Sequence, residues 1–324
     1  MSTTTPVANR STGTPDRIGL TASSARWGEK VIIGWLFLCA AFSVLVTVGI
    51  VIALAAPTVE FFRLVSFREF FSTGEWAPSF QPPEFGVARI VVGTLNVTFY
   101  ALLIALPAGL GAAIYLSEYA SPRARRVLKP ILEVLEGVPT VAYGFFALTF
   151  VTPLLREFWP TFLPGGLGDP PGIFSAASAG LVMGVMIIPT VASISQDAMS
   201  AVPSALRQAA YGLGGTQMQV ATKVVVPAAL SGIVASFILG ISRAIGETMI
   251  VLIAAGATPT LTFLPNESVQ TMTAFIGQAS TGDIATGTIT YYTVFAVGSL
   301  LFVSTLTLNM ISIALVRRFR ETYE

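Results

Sequence analysis

Arg243 and Glu247 draw attention because they are the ionisable residues of a long apolar segment that covers residues 228–256. At a separation of four residues they would share one face of a helix and could pair. An arginine at the centre of a bilayer costs at least ~3 kcal/mol, so its presence there calls for a reason. Two interpretations remain open: an internal salt bridge that holds a helix bundle together, or a binding site for an anion. We favour the anion site, because apolar packing stabilises a bundle without buried charge.

The chemistry that Arg243 and Glu247 could perform together is the recognition of an oxyanion. A guanidinium group is a planar, permanently charged fork that binds such anions through two hydrogen bonds. Glu247 could accept a hydrogen bond from the hydroxyl of a partly protonated phosphate, which sulfate lacks at neutral pH. This hypothesis predicts that Glu247→Gln alters the preference between the two anions. Thr248 could donate a hydrogen bond to the anion or to a backbone carbonyl of its own helix.

The elements that must position these residues are membrane-spanning helices. A helix needs about 20 apolar residues to cross a bilayer. Six stretches qualify: 31–56, 90–115, 131–150, 176–195, 228–256 and 288–316. With 53% apolar and only 11% charged residues among 324, the composition predicts an all-α integral membrane protein in a lipid bilayer. Pro139 and Pro189 interrupt the third and fourth stretches, which is tolerated where neighbouring helices or a polar cavity satisfy the backbone.

Lys and Arg concentrate on one side of the predicted membrane. They lie in the N-terminal segment, between the second and third stretches, between the fourth and fifth, and after the sixth. The positive-inside rule then places both termini in the cytoplasm. We expect residues 1–29 to be a disordered polar cytoplasmic tail, 30–320 to form the membrane domain, and 321–324 to be a cytoplasmic end.

Several function classes are excluded or disfavoured. The chain has no histidine and a single cysteine, Cys39, so we expect no metal centre built from His and Cys and no disulfide within it. A net charge of +1 argues against nucleic acid as a partner. The nucleotide-binding pattern Gly-x-x-x-x-Gly-Lys-Ser/Thr does not occur, so the sequence offers no cradle for nucleotide phosphates and no sign of an enzyme.

The segment between the fourth and fifth stretches, about residues 200–227, carries a second pattern. Residues 206–211 favour a short helix, and the glycines at 212, 214 and 215 would end it in a turn. Residues 217–226 could form a second short helix, with Met218, Ala221 and Val225 on one side. Such a segment is either an amphipathic connector packed on its own bundle or a knob that docks into a groove of a partner.

The spacing within this segment resembles the EAA loop of ABC importer permeases. Gly214 follows Ala210 by four residues, and Pro227 follows Gly214 by thirteen. The resemblance implies that the loop couples to an ATPase through Gln208, Ala209, Ala210, Gly212, Gly214 and Pro227. Gln208 stands where the family has Glu, so a salt bridge to the partner at that position is in doubt.

Other segments narrow the resemblance to the phosphate permeases of this superfamily. The run Gly240-Ile-Ser-Arg-Ala-Ile-Gly-Glu-Thr-Met249 is similar to that of their PstC-type subunits, as are Tyr115-Leu-Ser-Glu-Tyr-Ala120 and Gly137-Val-Pro-Thr-Val-Ala-Tyr-Gly144. The likeness covers residues 30–320. Glu136 is a departure, since small residues are commoner at that place in the family.

The resemblance implies a type I ABC importer permease fold with six transmembrane helices and a cytoplasmic coupling helix between spans four and five. It also implies the partners: a PstA-like second permease, two PstB-like ATPases that use ATP and Mg, and a PstS-like phosphate-binding protein outside the cell. Pro139 and Tyr143 could line the conduit, or simply pack. Three alternatives stay open. The first is a permease for another oxyanion (sulfate, molybdate or phosphonate), and the second is an ion-driven secondary transporter, although the spans lack the acidic relays that it needs. The third is a receptor or scaffold that does not transport, which would leave the intramembrane arginine unexplained.

Overall fold

The computed structural model describes residues 27–159 and 169–319. The predicted tail up to residue 26 and the predicted end at 321–324 lie outside the described residues. The chain divides into two compact units, Met1–Val51 and Ile52–Glu324, and the functional residues below all belong to the second.

The described residues are almost entirely helical. The helices are α1 (Trp27–Leu64), α2 (Phe67–Phe70), α3 (Ala88–Ile114), α4 (Pro122–Gly137), α5 (Thr140–Phe146), α6 (Thr152–Glu157), α7 (Ala176–Ser200), α8 (Ser204–Gly212), α9 (Gln217–Val220), α10 (Val226–Ala228), α11 (Leu230–Gly246), α12 (Met249–Ala254), α13 (Met272–Thr281) and α14 (Ile289–Phe319). Wider π-helical turns cover Tyr115–Tyr119, Ala147–Val151 and Ala221–Val225. The two-residue strands β1 (Trp76–Ala77) and β2 (Glu84–Phe85) pair antiparallel, with Trp76 opposite Phe85.

The helices agree with six membrane crossings, but two crossings are broken. Four helices are long and apolar enough to span a bilayer on their own, and two helix pairs, bent by 89° and 73°, bring the total to six if each pair is one span. The first bend follows from Pro139: Val138 precedes a proline, which disfavours helical geometry, and it adopts an extended conformation with ψ 131°. The predicted interruption of the third stretch at Pro139 is thus confirmed, and residues up to Gly137 belong to the separate helix α4.

The fifth span is also broken where the sequence predicted one helix over 228–256. Helix α11 ends at Gly246, and α12 begins at Met249. Glu247 and Thr248 lie between them outside any helix. The bend of 73° lies at the other end of α11, between the segment Gln217–Ala228 and Leu230.

The centre of the bundle is the contact between α3 and α7. Small residues let the two backbones approach closely, as is usual between membrane helices. A Cβ atom added at Gly184 would lie 2.7 Å from the carbonyl oxygen of Ala101, and one added at Gly180 would lie 2.7 Å from the Cβ of Tyr100. Met183, Met186 and Ile187 of α7 are fully buried, so α7 forms the core against which the neighbouring helices pack.

Aromatic residues at the end of α1 and in the segment between α1 and α3 form a packed cluster. Phe61 contacts Phe70 and Phe85 edge to face, and Trp76 contacts Phe275 of α13 in the same way. All five side chains are buried. This cluster packs the segment between α1 and α3 against α13.

The α3–α7 contact predicts that Gly184→Val destabilises the protein, because the added carbons meet a backbone oxygen that cannot move aside. Overpacking typically costs about 1–3 kcal/mol. Gly111→Val in α3 is the matched control, since no atom lies within 4 Å of its added Cβ. We expect thermal unfolding of the purified chain in detergent to shift downward for Gly184→Val by several degrees more than for Gly111→Val. Equal shifts would show that the close approach is unimportant.

Candidate functional site

Arg243 and Glu247 do not pair, because the helix ends between them. Arg243 lies in the last turn of α11, whereas Glu247 follows its end. The Glu247 carboxylate instead accepts hydrogen bonds from the backbone N–H groups of Met249 and Ile250, at 3.0 and 3.3 Å. Its own carbonyl oxygen accepts a 2.6 Å hydrogen bond from the Thr273 hydroxyl. Glu247 therefore stabilises the break in the span, and the predicted i,i+4 pair with Arg243 is wrong for this conformation.

The partner of Arg243 is Glu136. The Arg243 Nη1 atom lies 2.8 Å from the Glu136 Oε1 atom and 2.6 Å from the Thr190 hydroxyl. That hydroxyl in turn donates to the same Glu136 oxygen at 2.8 Å. The three groups thus form a closed triangle of hydrogen bonds through Arg243 Nη1, Thr190 Oγ1 and Glu136 Oε1, so the arginine at this place in the membrane domain has a charged partner.

Three elements bring this triangle together. Glu136 lies at the end of α4, directly before the bend at Pro139. Thr190 follows Pro189 in the middle of α7 and is buried. The side chains of Arg243 and Glu136 are still 29% and 39% exposed. The departure from the family pattern at Glu136 thus supplies the carboxylate that binds Arg243, and this carboxylate remains partly open to solvent.

The other predicted path residues surround this triangle without joining it. The buried Tyr143 side chain donates a 2.8 Å hydrogen bond to the carbonyl of Leu135, which ties α5 back to the helix that carries Glu136. Pro139 directly precedes α5 at the bend. The Thr248 hydroxyl faces the carbonyl of Gly246 at 3.4 Å, a long contact within its own chain segment. A direct role of these three residues in lining a conduit stays a prediction.

The predicted coupling segment folds as two short helices joined by a glycine turn. Helix α8 covers the predicted 206–211, and Gly214 adopts φ +80°, a conformation that favours glycine. Thr216 and Gln219 cap α9 reciprocally. Pro227 lies in α10, directly before the bend that leads into α11.

One face of this segment is free in the isolated chain. Gln208, Ala209 and Gly212 are exposed, and no atom lies within 4 Å of a Cβ added at Gly212. Leu213 and Met218 expose 90% and 68% of their surface. Ala210 instead packs against the buried cluster that includes Met199 and Val220. The expectation that Met218 shares a side with Ala221 and Val225 is wrong, since the latter two are fully buried.

Glu118 and Arg207 form an anchor for the coupling segment that the sequence did not reveal. The Arg207 Nη2 atom lies 3.1 Å from the Glu118 Oε1 atom, and the Glu118 side chain is only 6% exposed. Arg207 also donates to the carbonyls of Met199 and Val202, and Gln217 donates to the Glu118 carbonyl at 2.6 Å. A pair separated by 89 residues leaves no local pattern, and only the acidic residue directly after the second span was a signal.

The fold and the sequence both have known relatives. Residues 105–321 match the family described as "Binding-protein-dependent transport system inner membrane component". A chain of the MetNI methionine ABC transporter aligns with a TM-score of 0.50 and 20% identity, over 73% of this chain and 95% of that one. A chain of a bacterial ABC transporter for the import of alginate aligns with a TM-score of 0.60 and 15% identity, over 92% and 100%. These likenesses concern the fold, and they confirm the predicted type I ABC importer permease fold.

Three sequence relatives cover most of the chain. "Probable ABC transporter permease protein YqgH" of Bacillus subtilis is 34% identical over 82% of this chain and 83% of its own. "Phosphate transport system permease protein PstC" is 35% identical in Pasteurella multocida, over 68% and 74%, and 33% identical in Mesorhizobium japonicum, over 82% and 83%. The chain is thus a multi-pass membrane protein that belongs to the binding-protein-dependent transport permeases, in the group of the PstC permease proteins.

Proposed function

We propose that this chain is the permease subunit of an ATP-driven importer of inorganic phosphate and forms half of its translocation pore. The observation that carries the proposal is Arg243, a fixed positive charge beside a break in a membrane span, with its side chain 29% exposed. The relatives named PstC support phosphate as the cargo. The fold alone does not specify it, because the structural neighbours import methionine and alginate.

The same proposal includes the partners. A PstA-like permease would complete the pore, two PstB-like ATPases would bind and hydrolyse ATP with Mg, and a PstS-like protein would deliver phosphate from outside. The exposed face of α8 and the glycine turn supports docking of an ATPase, since apolar groups such as Leu213 are open to water in the isolated chain. Gln208 on this face would hydrogen-bond to the partner without a charge.

Transport of phosphate predicts a strong dependence on the charge and shape of Arg243. With the partner subunits reconstituted in liposomes, we expect Arg243→Gln to lower uptake of radiolabelled phosphate by at least about tenfold, since it removes a charge-assisted, two-pronged contact. Arg243→Lys keeps the charge but loses the fork, so its uptake should be intermediate. Arg68→Gln, on the exposed helix α2, is the control and should transport normally. Normal uptake by Arg243→Gln would refute a role in the path, and equal uptake of sulfate would refute the cargo.

Docking through the glycine turn predicts that Gly214→Val uncouples the ATPase. A β-branched residue at positive φ costs roughly 1–2 kcal/mol and would distort the turn. Gly287→Val is the matched control, because Gly287 has φ +83° and equally open surroundings but lies two residues before α14. We expect the ATPase subunits to co-purify with the Gly287 variant and not with the Gly214 variant. Retention of the ATPase by both would contradict the assignment of the coupling segment.

The proposed orientation, with both termini in the cytoplasm, predicts which loops a membrane-impermeant maleimide can reach. In a Cys39→Ser background, Asp283→Cys should be labelled on intact cells, whereas Leu213→Cys should be labelled only after permeabilisation. Both side chains are exposed in the chain alone, so exposure does not separate them. The reverse pattern would invert the topology.

A further inference from the structure

The hydrogen bonds of Arg243 are confined to one side of its guanidinium group. Nη1 contacts both Glu136 and Thr190, and a guanidinium nitrogen of this kind has two hydrogens to donate. Within residues 27–159 and 169–319, Nε and Nη2 make no hydrogen bond that would compete for them. The edge formed by Nε and Nη2 is the fork that binds an oxyanion through two parallel hydrogen bonds. This edge is therefore available while Glu136 occupies the other side.

Glu136 lies close enough to any anion on that edge to repel it. Its Oε1 atom is 2.8 Å from Nη1, so a phosphate on the opposite edge would share a single positive charge with a fixed carboxylate. Thr190 donates to the same oxygen and holds the carboxylate in this place. When two anionic groups contact one cation they repel each other, so each binds the cation more weakly than it would alone.

We propose that Glu136 is a counter-ion that weakens the hold of Arg243 on phosphate, so that the anion is released and not trapped. The inference rests on the proposed function, and it adds to that function a residue, Glu136, that sets the affinity for phosphate. Thr190 is the positioning residue, since it acts only through the other two groups. A purely structural salt bridge would need the same contacts, but its removal would not tighten anion binding, and this difference in sign separates the two roles.

The test compares variants of the assembled transporter in nanodiscs, without the extracytoplasmic binding protein, by equilibrium binding of radiolabelled inorganic phosphate. Glu136→Gln keeps the hydrogen-bonding shape and removes the charge, so we expect Kd to fall about tenfold, the size expected for one like charge several ångströms away. Glu136→Asp should restore a Kd near that of the unchanged protein. Maximal uptake by Glu136→Gln should fall, because release is slower.

The matched control is Glu133→Gln, which removes the same charge one turn earlier on α4. Glu133 makes no hydrogen bond or ion pair with Arg243. Its Kd should stay within about twofold, because a charge without direct contact is largely screened where solvent reaches it. Co-purification of the ATPase subunits reports whether each variant is assembled, and a Glu136→Gln protein that does not assemble would show that the pair is structural and overturn the proposal.

The remaining outcomes separate this inference from the proposed function. If the unchanged protein binds too weakly to measure, detectable binding by Glu136→Gln still supports the counter-ion. Equal or weaker binding by Glu136→Gln, or none in either protein, overturns it. If Arg243→Gln abolishes binding while Glu136→Gln leaves it unchanged, the counter-ion is refuted and the proposed function stands. If Arg243→Gln binds phosphate with the same Kd as the unchanged protein, the proposed role of Arg243 in the phosphate path is also refuted.

Discussion

The ion pair between Arg243 and Glu136 is the interaction on which the centre of this membrane domain depends. A charged side chain at membrane depth requires a partner, and here the partner comes from another span. That requirement explains neighbouring features: α4 must end near α11, and α7 must present a hydroxyl between them. The bend at Pro139 and the break at Glu247 each end a helix within three residues of a member of the pair.

The two broken spans show how the chain satisfies its backbone inside a membrane. Glu247 accepts hydrogen bonds from the first N–H groups of α12, and Thr273 donates to the carbonyl that the break leaves free. Irregular backbone is tolerated at this depth only where protein groups replace the missing helix bonds. Glu247 thus has a defined structural role in this conformation, and the hydrogen bond that we expected it to accept from a protonated phosphate would have to compete with that role.

Much of the architecture could be predicted from the sequence because it follows from local composition. Apolar length gave six crossings, and helix propensity with the glycines gave α8 and the turn at Gly214. The predictions that were wrong depend on contacts between residues that are far apart in the sequence. The partner of Arg243 is Glu136, which lies 107 residues away in the sequence. The sequence analysis chose Glu247 because it is nearer in the sequence, and that choice was wrong. Met218 is exposed whereas Val225 is buried, because Val225 packs in the cluster that includes Met199, and local spacing does not reveal that contact.

The anchor between Glu118 and Arg207 has a mechanical consequence. Arg207 belongs to α8, and Glu118 lies at the end of the second span. Their ion pair therefore holds α8 against the end of that span. Gln217, which follows the glycine turn, adds a hydrogen bond from its side chain to the Glu118 carbonyl. A displacement of α8 would therefore be transmitted through these contacts to the end of the second span. The bend of 73° between Ala228 and Leu230 lies outside this anchored region.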